Sequence, residues 1–135
     1  MIRQLDDRTL VSGQIAPDEV AGLAAQGVTV LVNNRADFED LDQPLASEIE
    51  EAAAQAGIAY RFVPIIRGIG PSDVEAMQEA LREAEGGKLL AFCRSGNRSA
   101  MVCALAHRQE GASAQQIRQR LNDAGFDPSP IAHLL

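Results

Sequence analysis

The sequence predicts an α/β domain: a central, mostly parallel sheet of four to five strands flanked by helices. Three observations carry this. Short apolar runs alternate with longer amphipathic segments along the whole chain. One run, residues 28–32 (VTVLV), is apolar without interruption, the pattern of a strand buried on both faces. No internal repeat, low-complexity tract or linker divides the chain, so residues 1–135 read as a single domain.

The elements follow in order. A first strand is expected within 10–15, ending at Gly13. Pro17 at an early helical position and Gly27 beyond the end bracket a helix that runs to about Gln26. Residues 28–32 form the second strand, and the polar stretch 33–44 (NNRADFEDLDQP) is a loop. Ser47 with Glu50 reads as a capping box opening a helix that stops at Gly57. The third strand lies within 58–66, with Pro64 near its end. Ser72 with Glu75 is a second capping box, and Gly86 and Gly87 break the helix it starts. Residues 88–92 (KLLAF) are the fourth strand. A helix of small and apolar residues spans 97–110, and Ser113 with Gln116 opens a last one ending at Gly125.

A net charge of −7 argues against a general binder of nucleic acid or anionic membrane, since both call for a basic face. It leaves room for a small basic pocket. The start MIRQLDDRTL has no apolar h-region, and no run of about 18 apolar residues occurs, so neither a secretory signal nor a membrane span is expected. Cys93 and Cys103 alone make neither a disulfide framework nor a zinc site. The two histidines, His107 and His133, are well separated, so no metal or cofactor is expected. These features together predict a reduced, cytoplasmic protein.

Sites in open parallel sheets form beyond the carboxyl ends of strands. The segment FCRSGNRSA, residues 92–100, lies there, after the most apolar strand and before a helix. Backbone N–H groups of Arg94, Ser95, Gly96 and Asn97, with the positive end of the helix dipole, would form an anion cradle. Arg98 would grip an oxyanion through two parallel donors, while Arg94 points outward. Gly96 would supply an unusual backbone conformation. Such surroundings favour a thiolate, and Ser99 or Ser95 could donate a hydrogen bond to the sulfur, so Cys93 is the candidate nucleophile. Cys103, among Ala100, Met101, Val102 and Leu105, reads as a packing residue. Arg35, after the second strand, is either a substrate contact or a salt-bridged arginine, and Arg67 has a weaker version of the same case. Asn33 and Asn34 are expected to anchor loops through side-chain to backbone bonds, and His107 to pack.

The segments VNNRADFEDLDQP and CRSGNRSAMVCALA, in this order of strands and helices, resemble the dual-specificity branch of the protein tyrosine phosphatases. More narrowly, they resemble the phosphatase-like domain DUF442, found alone or fused to metallo-β-lactamase-type hydrolases. The resemblance implies a three-layer protein-tyrosine-phosphatase-like fold, Cys93 as the reactive residue and such a hydrolase as a candidate partner. Three features depart from the phosphatase pattern. Four residues, not five, separate Cys93 from Arg98, which with the string CRSGNRS is similar to a rhodanese sulfurtransferase loop. Phe92 stands where phosphatases often have histidine. The region after the third strand, VPIIRGIGPS, lacks the aspartic acid that protonates the leaving oxygen, leaving Asp37 or Asp40 of the preceding loop as substitutes.

Sulfur transfer tolerates these losses, because a departing sulfite needs no proton. The expected reaction is therefore transfer of a sulfane sulfur to a Cys93 persulfide and on to a thiol acceptor. Phosphatase action through a Cys93 phosphocysteine is the alternative. A non-catalytic anion- or persulfide-sensing module is the third reading.

Overall fold

The computed structural model describes residues 1–135. Strand β1 is Ile2–Asp6 and β2 is Thr9–Ser12. A 3₁₀ turn at Pro17–Glu19 runs into helix α1, Val20–Ala25. Then come β3, Val28–Asn33; α2, Ala46–Ala56; β4, Ala59–Phe62; and α3, Pro71–Glu83. Strand β5, Lys88–Phe92, is followed by α4, Asn97–Gln109, and α5, Ala114–Asp123. A 3₁₀ turn, Ser129–Leu134, closes the chain.

The strand order is β1-β2-β5-β3-β4, all parallel except for the β1–β2 pair. This is the expected α/β architecture. Strand β1 is the element that sequence patterning passed over. Its residues, IRQLD, bury only Leu5, and an antiparallel edge strand needs no continuous apolar run. The second strand stops at Ser12, short of the expected range, because the chain beyond it turns towards the loop after β5: Gln14 N–H donates to Arg94 C=O (3.2 Å).

Alternation along the strands divides the core into two layers. Val11, Val30, Val32, Leu89 and Ala91 face α3, α4 and α5. Leu10, Leu31, Leu90 and Phe92 face α1 and α2. Each large side chain so buried contributes roughly 1.5–3 kcal/mol. In α4, residues 99–107 are all buried, and its many alanines let it lie close between the sheet and its neighbouring helices. No helix is long and apolar enough to cross a membrane.

Two caps lie two residues earlier than expected. At α2, Glu48 accepts from Leu45 N–H (3.1 Å); at α3, Asp73 accepts from Gly70 N–H (2.8 Å), with Pro71 at the first helical position. The acid half of a capping box needs only a backbone N–H at the cap, so leucine or glycine can stand where serine was expected. The third box is as predicted: Ser113 N–H donates to Gln116, and Gln116 N–H to Ser113 Oγ.

Candidate active site

Strand β5 is the middle strand of five, and its chain leaves the sheet at Cys93. Neighbours on both sides pin the exit. Cys93 N–H donates to Ser12 C=O (3.2 Å) at the end of β2, and Asn34 N–H donates to Phe92 C=O (2.8 Å) just past β3. Two glycines make the following turn possible. Gly96 adopts φ +95°, and a Cβ there would stand 3.3 Å from the Ser12 carbonyl carbon. A Cβ on Gly13 would stand 3.0 Å from Arg94 O, so the end of β2 and the cradle are in backbone contact.

The Cys93 side chain is fully buried at the base of this turn. Gly96 N–H donates to its sulfur at 3.1 Å. The N–H groups of the first turn of α4 have no carbonyl within the helix and add partial positive charge there. Arg98 sits at the second position of that turn. Its Nη1 donates to Glu39 Oε2 (2.8 Å) and to Ile65 C=O (2.7 Å), and its Nη2 to Glu39 Oε1 (2.8 Å). A guanidinium has five N–H donors in one plane. These partners take three; Nε–H and the second Nη2–H, side by side on another edge, are not taken by them. That edge is the shape that grips an oxyanion through two bonds. Bonding to Glu39, and then the neighbouring Cys93 sulfur, hold the Arg98 guanidinium above its ordinary pKa, against the opposing effect of burial.

The other candidates are placed as follows. Ser99 does not supply a bond to the sulfur: its Oγ donates to Asn34 Oδ1 (2.8 Å), both buried, because Asn34 reaches over from the end of β3. Ser95 is exposed and its Oγ accepts from Asn97 N–H (3.4 Å). Arg94 points outward, 69% exposed, towards Asp40 (3.3 Å). Arg35 is buried, and its Nε, Nη1 and Nη2 donate to Glu39, Gln14 and Asp40 respectively. Of the two readings for Arg35, this geometry is that of a salt-bridged strut within the 33–44 loop. Asp37 accepts from Ala46 N–H (2.7 Å) at the start of α2, and Asp40 accepts from Arg35 (2.6 Å). Both carboxylates therefore hold the loop in shape. Arg67 is exposed.

Asn33 Oδ1 accepts from Arg35 N–H (2.9 Å), and Asn34 Nδ2 donates to Val63 C=O (2.8 Å), so both anchor loops. His107 is buried against Thr9 Oγ1 (3.0 Å), and Cys103 is fully buried, its thiol pushed up by burial.

Glu39 is the residue that sequence reasoning missed. It bridges Arg98 and Arg35, and the bonds to Arg98 first, then to Arg35, pull its carboxyl down to about 2. The i, i+4 spacing from Arg35 was the available signal.

The family model described as "Beta-lactamase hydrolase-like protein, phosphatase-like domain" matches residues 1–111. A beta-lactamase hydrolase-like protein of Xylella fastidiosa is 36% identical over 128 residues, covering 93% of this chain and 30% of its own length. The chain thus spans less than a third of the curated relative it matches. A presumed phosphatase from Neisseria meningitidis z2491 superposes with a TM-score of 0.82 at 27% identity, over 98% of this chain and 94% of that one. A more distant likeness, to PTPMT1, has a TM-score of 0.71 at 14% identity, over 96% of this chain and 88% of the other. It bears on the fold alone.

Proposed function

This chain belongs to the family of phosphatase-like domains of beta-lactamase hydrolase-like proteins, and from that premise we propose that it is a cysteine-dependent phosphatase acting through a Cys93 phosphocysteine. Its fold is that of the protein-tyrosine-phosphatase-like enzymes. The carrying observation is the pairing of Cys93, bonded by Gly96 N–H, with an Arg98 that keeps one bidentate edge in reserve. Preference passes from sulfur transfer, which the loop alone favoured, to phosphoryl transfer, which the relatives support better.

The thiolate attacks phosphorus as the ester P–O bond breaks. Arg98 and the N–H groups of the cradle bind the non-bridging oxygens, whose charge they meet without rearrangement. Water then cleaves the S–P bond, releasing phosphate and restoring the thiolate. Arg94, Ser95, Gly96 and Asn97 serve as anion-binding positions through their backbone, and Ser99 acts through Asn34 as a positioning residue.

Sulfur transfer stays as a second reading because of one feature, the four-residue separation of Cys93 and Arg98. A tighter loop suits a single sulfur on the thiolate better than a tetrahedral phosphate. Its substrates would be a sulfane-sulfur donor and a thiol acceptor. A reduced, cytoplasmic setting would keep Cys93 free under either reading. A hydrolase partner is supported by the name and the greater length of the curated relatives. Incubation with an aryl phosphate or with thiosulfate, followed by phosphate release and intact mass, separates the readings. Phosphate release that depends on Cys93 supports the first; a stable one-sulfur adduct without hydrolysis supports the second and removes the first.

A further inference from the structure

We infer that this centre works without a general acid and so takes substrates whose leaving group departs as a stable anion: aryl or acyl phosphates on the phosphatase reading, on which the inference rests. The observation is where the carboxylates of the loop after β3 and of the first turn of α3 point their oxygens. Asp37 accepts from Ala46 N–H at the start of α2. Asp40 accepts from Arg35 and faces Arg94. Asp73 accepts from Gly70 N–H. Glu39, the carboxylate on Arg98 itself, accepts from three N–H groups, two of Arg98 and one of Arg35. Asp42 is exposed beside the fully exposed Leu41 and bonds none of these groups.

A proton donor must hold its proton at the working pH and aim it at the leaving atom. Glu39 does neither. Both of its oxygens are committed as acceptors, and its carboxyl is ionised down to about 2. What Glu39 does instead is fix Arg98. With Ile65 C=O it takes the end of the guanidinium and so decides which edge faces the thiol loop. It is a positioning residue.

The chemistry balances without a protein proton. As the S–P bond forms, the P–O bond breaks and its electron pair leaves on oxygen, which is protonated by solvent later. In the sulfur variant an S–S bond forms as the donor's S–S bond breaks, and sulfite (from thiosulfate) or a sulfinate (from a thiosulfonate) leaves with the pair.

The test is a series of aryl phosphates whose phenols span about five pKa units. With no donor, kcat/KM should fall about tenfold for each unit rise in phenol pKa, because the full charge develops on the leaving oxygen. Glu39→Gln should keep that slope and lower every kcat/KM value by about tenfold through kcat, and Glu39→Asp should recover part of the loss. A slope shallower than about twofold per unit would overturn the inference, since a donor is then at work. So would a steeper slope in Glu39→Gln, which would make Glu39 the donor. If wild type hydrolyses none of the series, the phosphatase reading falls by itself. Formation of a Cys93 persulfide from benzenethiosulfonate, but not from an alkyl persulfide, whose departing thiolate needs a proton, then upholds the inference; transfer from both donors or from neither overturns it.

Discussion

Replacing Arg98 by lysine keeps the charge and removes the fork. Lysine offers a point charge with no parallel donors, and it cannot satisfy Glu39 and an oxyanion together. Arg98→Lys should therefore lower kcat/KM by about 100-fold, with little change in Tm; a loss below fivefold would mean that the free edge does no chemistry. Ser99→Ala separates two ideas about the sulfur. If Ser99 serves only Asn34, the variant leaves a buried Oδ1 without its donor and costs about 1–3 kcal/mol in urea unfolding. The rate at which iodoacetamide alkylates Cys93 in the folded protein should then match wild type. At this scale the chain was partly legible: Cys93, Arg98 and the outward Arg94 follow from residue types in a strand–loop–helix setting. Glu39 did not, because its bond to Arg98 spans 59 positions and a polar loop carries no periodicity to say which acid turns inward.

The cradle is an arrangement of element ends, with β2, β3 and α4 meeting at the end of β5. Gly96→Ala should show this. An alanine at φ +95° costs about 1–2 kcal/mol, and its Cβ would press on the Ser12 carbonyl that receives Cys93 N–H. Activity should fall further than stability does, since the donor to the sulfur is the N–H of that residue. A fall in Tm with normal kcat would contradict this. Strands β3 and β5 and the helices were readable because burial on both faces leaves continuous apolar runs and helix ends leave Pro, Gly and acid signals. Strand β1 was not, since it is an edge strand with one buried side chain. The caps of α2 and α3 were displaced because a backbone N–H, which every non-proline residue has, did the work expected of serine.

Across the whole molecule, α4 links the candidate site to the opposite edge of the core. Its N-terminus makes the cradle, and near its other end His107 is buried against Thr9 and faces Asp6, Arg8 and Arg120. Burial holds the His107 imidazole below its ordinary pKa, and Asp6 opposes that. Between the lowered folded value and 6.5 the unfolded chain binds the extra proton, so stability rises with pH through that window. Urea midpoints should fall as pH drops from about 7 towards 5 in wild type and change less in His107→Gln. Equal slopes in the two proteins would assign the effect elsewhere. The strand order was not legible at all. Local pattern yields elements, while the placing of β5 between β2 and β3 is fixed by pairings between distant segments.

On the proposed reading, a thiolate at Cys93 takes up a phosphoryl group. The most direct measurement is the intact mass of the protein quenched in acid during turnover of an aryl phosphate. The mass of one added phosphoryl group, absent in Cys93→Ser, is the predicted result. Turnover with no adduct that persists in Cys93→Ser would contradict it.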